Sequence, residues 1–138
     1  MTAITSFKVR RSEIDKMLIV HHSDYLKWFE IGRRDYLRKA GIPHSEINRL
    51  GFYLPISEIE CKFKSPAKYG DEVAVITKIT SISCVKVVFE YRILNKANGR
   101  TLAVGKTIHA WTDKNIKPLN IEKAAPQIYA SLKAFEQK

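Results

Sequence analysis

Cysteine occurs only twice in the 138 residues, at Cys61 and Cys84. The two lie far apart in apolar strand patterns, which argues for reduced core side chains and against a disulfide framework or a metal site. Glycine is sparse as well. Its six copies, at positions 32, 41, 51, 70, 99 and 105, never cluster into a dinucleotide-binding or phosphate-cradling loop. The four histidines, His21, His22, His44 and His109, lack zinc-binding spacing, so neither a metal nor any other cofactor is expected. No apolar run is long enough to cross a bilayer, and residues 1–8 do not read as a signal sequence, so the expectation is a cytoplasmic protein with no membrane partner. Acidic residues are also short: 14 Asp+Glu against 24 Lys+Arg leave a formal charge of +10.

What is present is a globular composition, 45% hydrophobic and 10% aromatic, which excludes a disordered chain. A domain of this length buries roughly two thirds of its unfolded surface, enough for one core and too little for two, so residues 1–138 read as a single domain. Residues 4–11 alternate as a strand. From Ser23 to Ala40 the period becomes helical, with Tyr25, Phe29, Gly32, Tyr36 and Ala40 in one stripe flanked by Leu26, Trp28 and Leu37. Ser23 or Asp24 is expected to cap this helix, and Gly41 with Pro43 to end it. Gly32 inside the stripe predicts close approach to a sheet. A short helical turn is expected at 44–50, and strand patterns follow. Between 52 and 64 the apolar phase shifts from Leu54 and Ile56 to Ile59, Cys61 and Phe63, which predicts a bulge near Ser57–Glu58. Val73, Val75, Thr77 and Ile79 line a third strand, and Val85, Val87, Phe89, Tyr91 and Ile93 a fourth. A fifth carries Leu102, Val104, Ile108 and Ala110, after an Ala-Asn-Gly turn. A last helix, opened by Pro126, offers Ile128, Leu132 and Phe135 to the core. This order predicts an α+β fold in which a curved antiparallel five-stranded sheet wraps one long helix.

Residues capable of chemistry concentrate between Glu13 and Tyr25. A helix N-terminus presents unpaired N–H groups and partial positive charge, which can polarise a carbonyl, and Asp15 just upstream can act as a nucleophile or as a base toward water. From spacing alone, the solvated or capping carboxylate is the preferred reading. Glu13 either assists Asp15 or pairs with a neighbouring arginine. Arg33 lies near the apolar stripe, where it anchors a buried carboxylate or snorkels. His109 reads as a hydrogen-bonded structural histidine, and Tyr69 with Asp71 as turn residues.

The run Glu13-Ile-Asp15-Lys-Met17-Leu18-Ile-Val20-His21-His22-Ser-Asp-Tyr25-Leu-Lys-Trp28-Phe29-Glu30 resembles the signature of the 4-hydroxybenzoyl-CoA thioesterase-like group of hotdog-fold acyl-CoA thioesterases. Residues 65–73 and 105–113 resemble two further segments of that group. The resemblance implies the hotdog fold for the whole chain, a dimer or tetramer with active sites between subunits, and hydrolysis of an acyl-CoA or acyl-carrier thioester to free acid and thiol. It implies Asp15 as the catalytic carboxylate and the backbone N–H of His22 as the polarising donor. Leu18, His21, Tyr25, Lys64 and Lys68 are the candidate substrate-binding residues, with Lys62 and Lys86 as further rim cations. The group usually carries glycine where this chain has Leu18. A glycine there permits positive φ, so the leucine predicts a narrower entrance or a differently folded loop. Two alternatives stay open: a non-catalytic acyl-CoA or acyl-carrier binding protein, and a dehydratase or hydratase, which needs a His and acid pair not evident here. The positive charge suits phosphorylated carriers, whereas nucleic acid is disfavoured because the cations are spread over nearly every element.

Overall fold

A computed structural model describes residues 1–137. Its strands are β1 (Thr2–Lys8), β2 (Ile56–Phe63), β3 (Glu72–Ile82), β4 (Lys86–Asn95) and β5 (Thr101–Ala110). They form one antiparallel sheet in the order β1-β3-β4-β5-β2. The long helix α1 (His22–Lys39) packs on its inner face, and α2 (His44–Arg49) follows. The chain closes with α3 (Ile121–Ala124) and α4 (Pro126–Lys133), the latter with proline in its first turn and with Ile128 and Leu132 buried. Phe135 lies past the helix end and is only half-buried.

Burial on α1 follows the helical period: Tyr25, Trp28, Phe29, Gly32, Tyr36 and Leu37 are inside. A Cβ on Gly32 would lie 2.6 Å from Thr77 Oγ1 and 2.7 Å from Val75 Cγ1, so the expected close approach of helix and sheet occurs at β3. At Gly105 on β5 a Cβ would meet Phe29 Cζ at 2.6 Å and the Glu60 carbonyl oxygen at 2.5 Å. That glycine lets the Phe29 ring lie flat on the sheet, stacked on Tyr91 with centroids 4.4 Å apart. Helix α1 ends where Gly41 takes φ +82°, with Gly41 N–H bonded to the Arg38 carbonyl and Ile42 N–H to that of Leu37, the two bonds of a Schellman turn.

Val73, Val75, Thr77 and Ile79 of β3 are all buried, as are Val87, Phe89, Tyr91 and Ile93 of β4, so both face assignments hold. The β2 register shifts between Ile56 and Glu58, where the phase change placed a bulge. Five expectations need correction. The first strand ends at Lys8, and Arg11–Glu13 form a single 3-10 turn. Helix α1 is capped by His21, whose extended backbone precedes it without a side-chain bond; Ser23 and Asp24 lie inside its first turn. Val85 falls outside β4 and is exposed. On β5 the inward face is Ala103, Gly105, Thr107 and His109, while Val104 and Ile108 look outward, half-buried. Both cysteines are free but half-buried, less enclosed than core residues.

Candidate active site

Residues 13–22 form a tight hairpin that feeds directly into α1. Ile14 bridges Val20, His21 N–H donates to the Glu13 carbonyl at 3.0 Å, and Asp15 N–H donates to that of Ile19 at 2.9 Å. The turn closes with Leu18 N–H on the Asp15 carbonyl at 3.0 Å. Leu18 itself adopts φ +63°. The loop therefore keeps the left-handed turn that a glycine would make without strain, and the leucine accepts the conformation in place of refolding it.

Two carboxylates two residues apart meet different surroundings on this hairpin. Glu13 is 3% exposed; its Oε1 accepts from Arg10 N–H and its Oε2 from the Trp28 indole N–H, both at 2.8 Å, and the Arg10 guanidinium stands 3.5 Å away. Burial works against its ionisation, but these donors outweigh it and hold the carboxyl below the usual range. Of the two sequence readings, the arginine pair is the one present. Asp15 is exposed. Its Oδ1 accepts from Met17 N–H at 2.8 Å and Ile19 N–H at 3.2 Å, and among the described residues its Oδ2 has no partner.

The helix start lies at the other end of the hairpin. Among the described residues no acceptor takes the N–H of His22 or Ser23, so two donors of the first turn stay free. Beside them opens a cavity of about 220 Å³ lined by Ile19, Val20, His22, Tyr25, Phe63, Lys64, Ser65 and Pro66. The His22 ring stacks on Phe63 with centroids 4.3 Å apart. Tyr25, buried in the wall, accepts from Ala67 N–H at 3.1 Å, and its burial pushes the phenol up. Of the residues singled out by sequence, His22, Tyr25 and Lys64 thus share one cavity. Asp15 sits just outside it, joined to it through Ile19. Leu18 and Lys68 lie on the adjoining loops, where Tyr69 N–H donates to the Leu18 carbonyl and Ile19 bridges Lys68, while His21 projects into solvent. Sequence reading missed Phe63 as a site residue because an apolar side chain in a strand reads as core.

A second polar cluster runs away from this site. Arg33 donates to the Tyr91 hydroxyl at 3.2 Å, which lies 2.6 Å from Thr107 Oγ1, itself 2.8 Å from His109 Nε2; His109 Nδ1 is 2.9 Å from the Leu54 carbonyl oxygen. Burial first, then the charges of Arg33 and His44, bring the His109 imidazole down to about 4 against the Leu54 bond, so the ring is neutral near pH 7. Its structural reading fits this geometry, and Arg33 anchors a phenol in place of a carboxylate. A larger hollow, about 620 Å³, lies on the outer face of the sheet, where Glu60, Lys106, Glu90 and Lys78 oppose one another across four strands. Within that alternation Lys106 pairs with Glu60 at 3.7 Å.

Residues 9–133 match the family model of the thioesterase-like superfamily. The chain belongs to that superfamily. It is 34% identical over 120 residues to a putative acyl-CoA thioesterase, YneP, of Bacillus subtilis, covering 86% of each chain. Over 114 residues it is 32% identical to the chloroplastic acyl-acyl carrier protein thioesterase ATL3 of Arabidopsis thaliana, covering 83% of this chain and 60% of that one. Among solved structures, a DHNA-CoA thioesterase from Staphylococcus aureus superposes with a TM-score of 0.91 at 26% identity, covering 96% of this chain and 89% of the other. The fold is the hotdog fold, and this superfamily member is a thioester hydrolase. No helix among the described residues is long and apolar enough to cross a membrane.

Proposed function

We propose that this thioesterase hydrolyses an acyl-CoA or acyl-carrier thioester to the free acid and the thiol, with Asp15 as the catalytic carboxylate and the His22 N–H as the donor to the carbonyl oxygen. The observation that carries the reading is one hairpin bearing both tools: a carboxylate with one oxygen fixed by two N–H groups and the other free, and a helix start with unspent donors beside a cavity. In the general-base route Asp15 Oδ2 takes a proton from water as the water oxygen bonds to the carbonyl carbon. The negative charge then gathers on the carbonyl oxygen, where the His22 N–H and the helix dipole stabilise it. Collapse breaks the carbon–sulfur bond, and the thiolate leaves with the proton. Direct attack by Asp15, followed by hydrolysis of the anhydride, uses the same atoms. The names of the relatives span both carriers, a coenzyme A thioester for YneP and an acyl carrier protein for ATL3.

The working enzyme is a dimer or tetramer in this reading. Strand β2 is a sheet edge whose Ile56, Ile59 and Phe63 are each more than 40% exposed. An apolar unpaired edge is a template for a second copy. Because Phe63 also walls the cavity, such pairing would complete the site.

Thiol release across a panel of acyl-CoA thioesters tests the assignment. Asparagine at position 15 keeps an Oδ1 for the Met17 and Ile19 N–H groups, so Asp15→Asn is expected to fold and assemble normally while kcat falls by about a hundred- to ten-thousandfold. Near-normal turnover removes Asp15 from the mechanism. Binding without release by the wild type across the whole panel indicates a non-catalytic carrier-binding protein.

A further inference from the structure

We infer that the loops beside the cavity form a docking surface for an acidic protein that carries the acyl group on a phosphopantetheine arm. The proposal rests on the thioesterase reading for its purpose and on separate observations for its location. Met17, Leu18 and Tyr69 are 75%, 57% and 46% exposed, and they form one patch because Tyr69 N–H bonds to the Leu18 carbonyl. Leu18 is the telling member. It holds φ +63°, a conformation that costs a Cβ-bearing residue about 1–2 kcal/mol, yet most of its side chain is in water, so burial within the subunit does little to offset that cost.

The rim of the patch carries three cations, with the Asp71 carboxylate held by the Lys68 backbone N–H. Arg11, Lys16 and Lys68 make no ion pair among the described residues, and the Arg11 guanidinium lies 5.0 Å over the Tyr69 ring, in line with the patch. Apolar side chains ringed by free cations match a partner whose surface mixes apolar residues with carboxylates. The phosphates of free coenzyme A would use the cations and leave Met17 and Leu18 idle. A second copy of this chain is assigned to the exposed β2 edge and not to this rim. Position completes the argument, since Asp15 lies in the same turn as Lys16 and Met17, and a carrier seated there needs only its flexible arm to reach the cavity.

The test compares wild type with the Arg11→Glu, Lys16→Glu double variant, both checked for equal melting temperature. Two quantities are measured: affinity for a fluorescently labelled holo-acyl carrier protein without an acyl group, and kcat/KM for one acyl group presented on the carrier protein and on N-acetylcysteamine. The double variant should lose about tenfold or more in carrier affinity and in carrier kcat/KM, while kcat/KM on the small thioester stays within about twofold. Raising the salt from about 0.05 M to about 0.5 M should produce the same selective loss in wild type. Met17→Ser should lower the carrier-to-small-thioester ratio about threefold or more through the apolar part of the patch. Wild type that does not bind the carrier, or a double variant that binds it unchanged, overturns the proposal even if the enzyme cleaves the small thioester. Charge-dependent carrier binding without cleavage of any thioester would sustain the docking surface and overturn the catalytic reading.

Discussion

Lowering the pH from 7 to 5 is expected to destabilise the fold by about 2 kcal/mol through His109 alone. In the folded chain the ring protonates only at about 4, because it is buried and faces the charges of Arg33 and His44. In the unfolded chain it protonates near 6.5. Between those values the unfolded state binds more protons than the folded one, so the stability from a neutral His109 is complete above 6.5. It drains away as the pH falls and is lost below about 4, with a ceiling of about 3 kcal/mol. The hydrogen-bond chain fits the neutral ring. Arg33 can only donate, so the Tyr91 hydroxyl passes its proton side to Thr107, Thr107 passes its own to His109 Nε2, and Nδ1–H donates to Leu54. A proton on Nε2 would deprive the Thr107 hydroxyl hydrogen of its acceptor. Urea unfolding followed by circular dichroism at pH 7, 6 and 5 measures the effect, with His109→Gln as the reference that cannot titrate. His44, held down by partial burial and by Arg34 and Arg33, works in the same direction, so the difference between the two pH slopes isolates His109. Asp35 is a separate matter: its burial is outweighed by Thr5, Lys39 and Arg38, which hold it at about 2, and its contribution is lost only at lower pH. Equal slopes for wild type and His109→Gln would refute the reasoning.

Two predictions concern backbone and packing. Gly105→Ala should cost about 1–3 kcal/mol, seen as a lowered Tm, because its Cβ meets the Glu60 carbonyl, which cannot rotate away, and the stacked Phe29 ring; an unchanged Tm would mean that the ring is not pressed on the sheet. At Leu18, glycine should give a protein more stable than alanine by about 1 kcal/mol in urea titration, since alanine keeps the left-handed strain of φ +63° and glycine relieves it; equal stability would show that the loop relaxes.

Sequence made the long helix and the β3 and β4 faces legible because their apolar residues recur at one period and end at glycine or polar turns. It misled on β5, where Val104 and Ile108 are more apolar than the inward Gly105, Thr107 and His109. The inner face there is short of space under Phe29, which demands glycine, and is polar because Thr107 and His109 find partners in Tyr91 and Leu54. Hydropathy cannot register partners supplied by other strands. The helix cap failed for a similar reason. Ser23 and Asp24 are good local caps, but the pairing of Glu13 with His21 fixes where the chain may turn helical, and it does so two residues earlier. Of the site, the Asp15 hairpin was legible through its motif, while Phe63 was hidden by its strand alternation.

In the proposed mechanism, the contrast between Glu13 and Asp15 explains how an exposed loop can hold a carboxylate for chemistry. Glu13 commits both of its oxygens to structure. Its two oxygens tie Arg10 on one side and the Trp28 indole of α1 on the other, and its carbonyl takes the His21 N–H. The hairpin and the helix are thereby one mechanical unit, and the distance from the turn to the helix start is set by a buried, ionised carboxylate and not by the solvent-exposed residues between. Asp15 then needs only two backbone N–H groups to fix its direction, which leaves one oxygen uncommitted in water. Had the two roles fallen on one residue, the bonds that position the carboxylate would have consumed the oxygen that the proposed mechanism uses. Dividing them between two acids two positions apart lets one residue supply the rigidity while the other keeps an uncommitted oxygen for the proposed reaction.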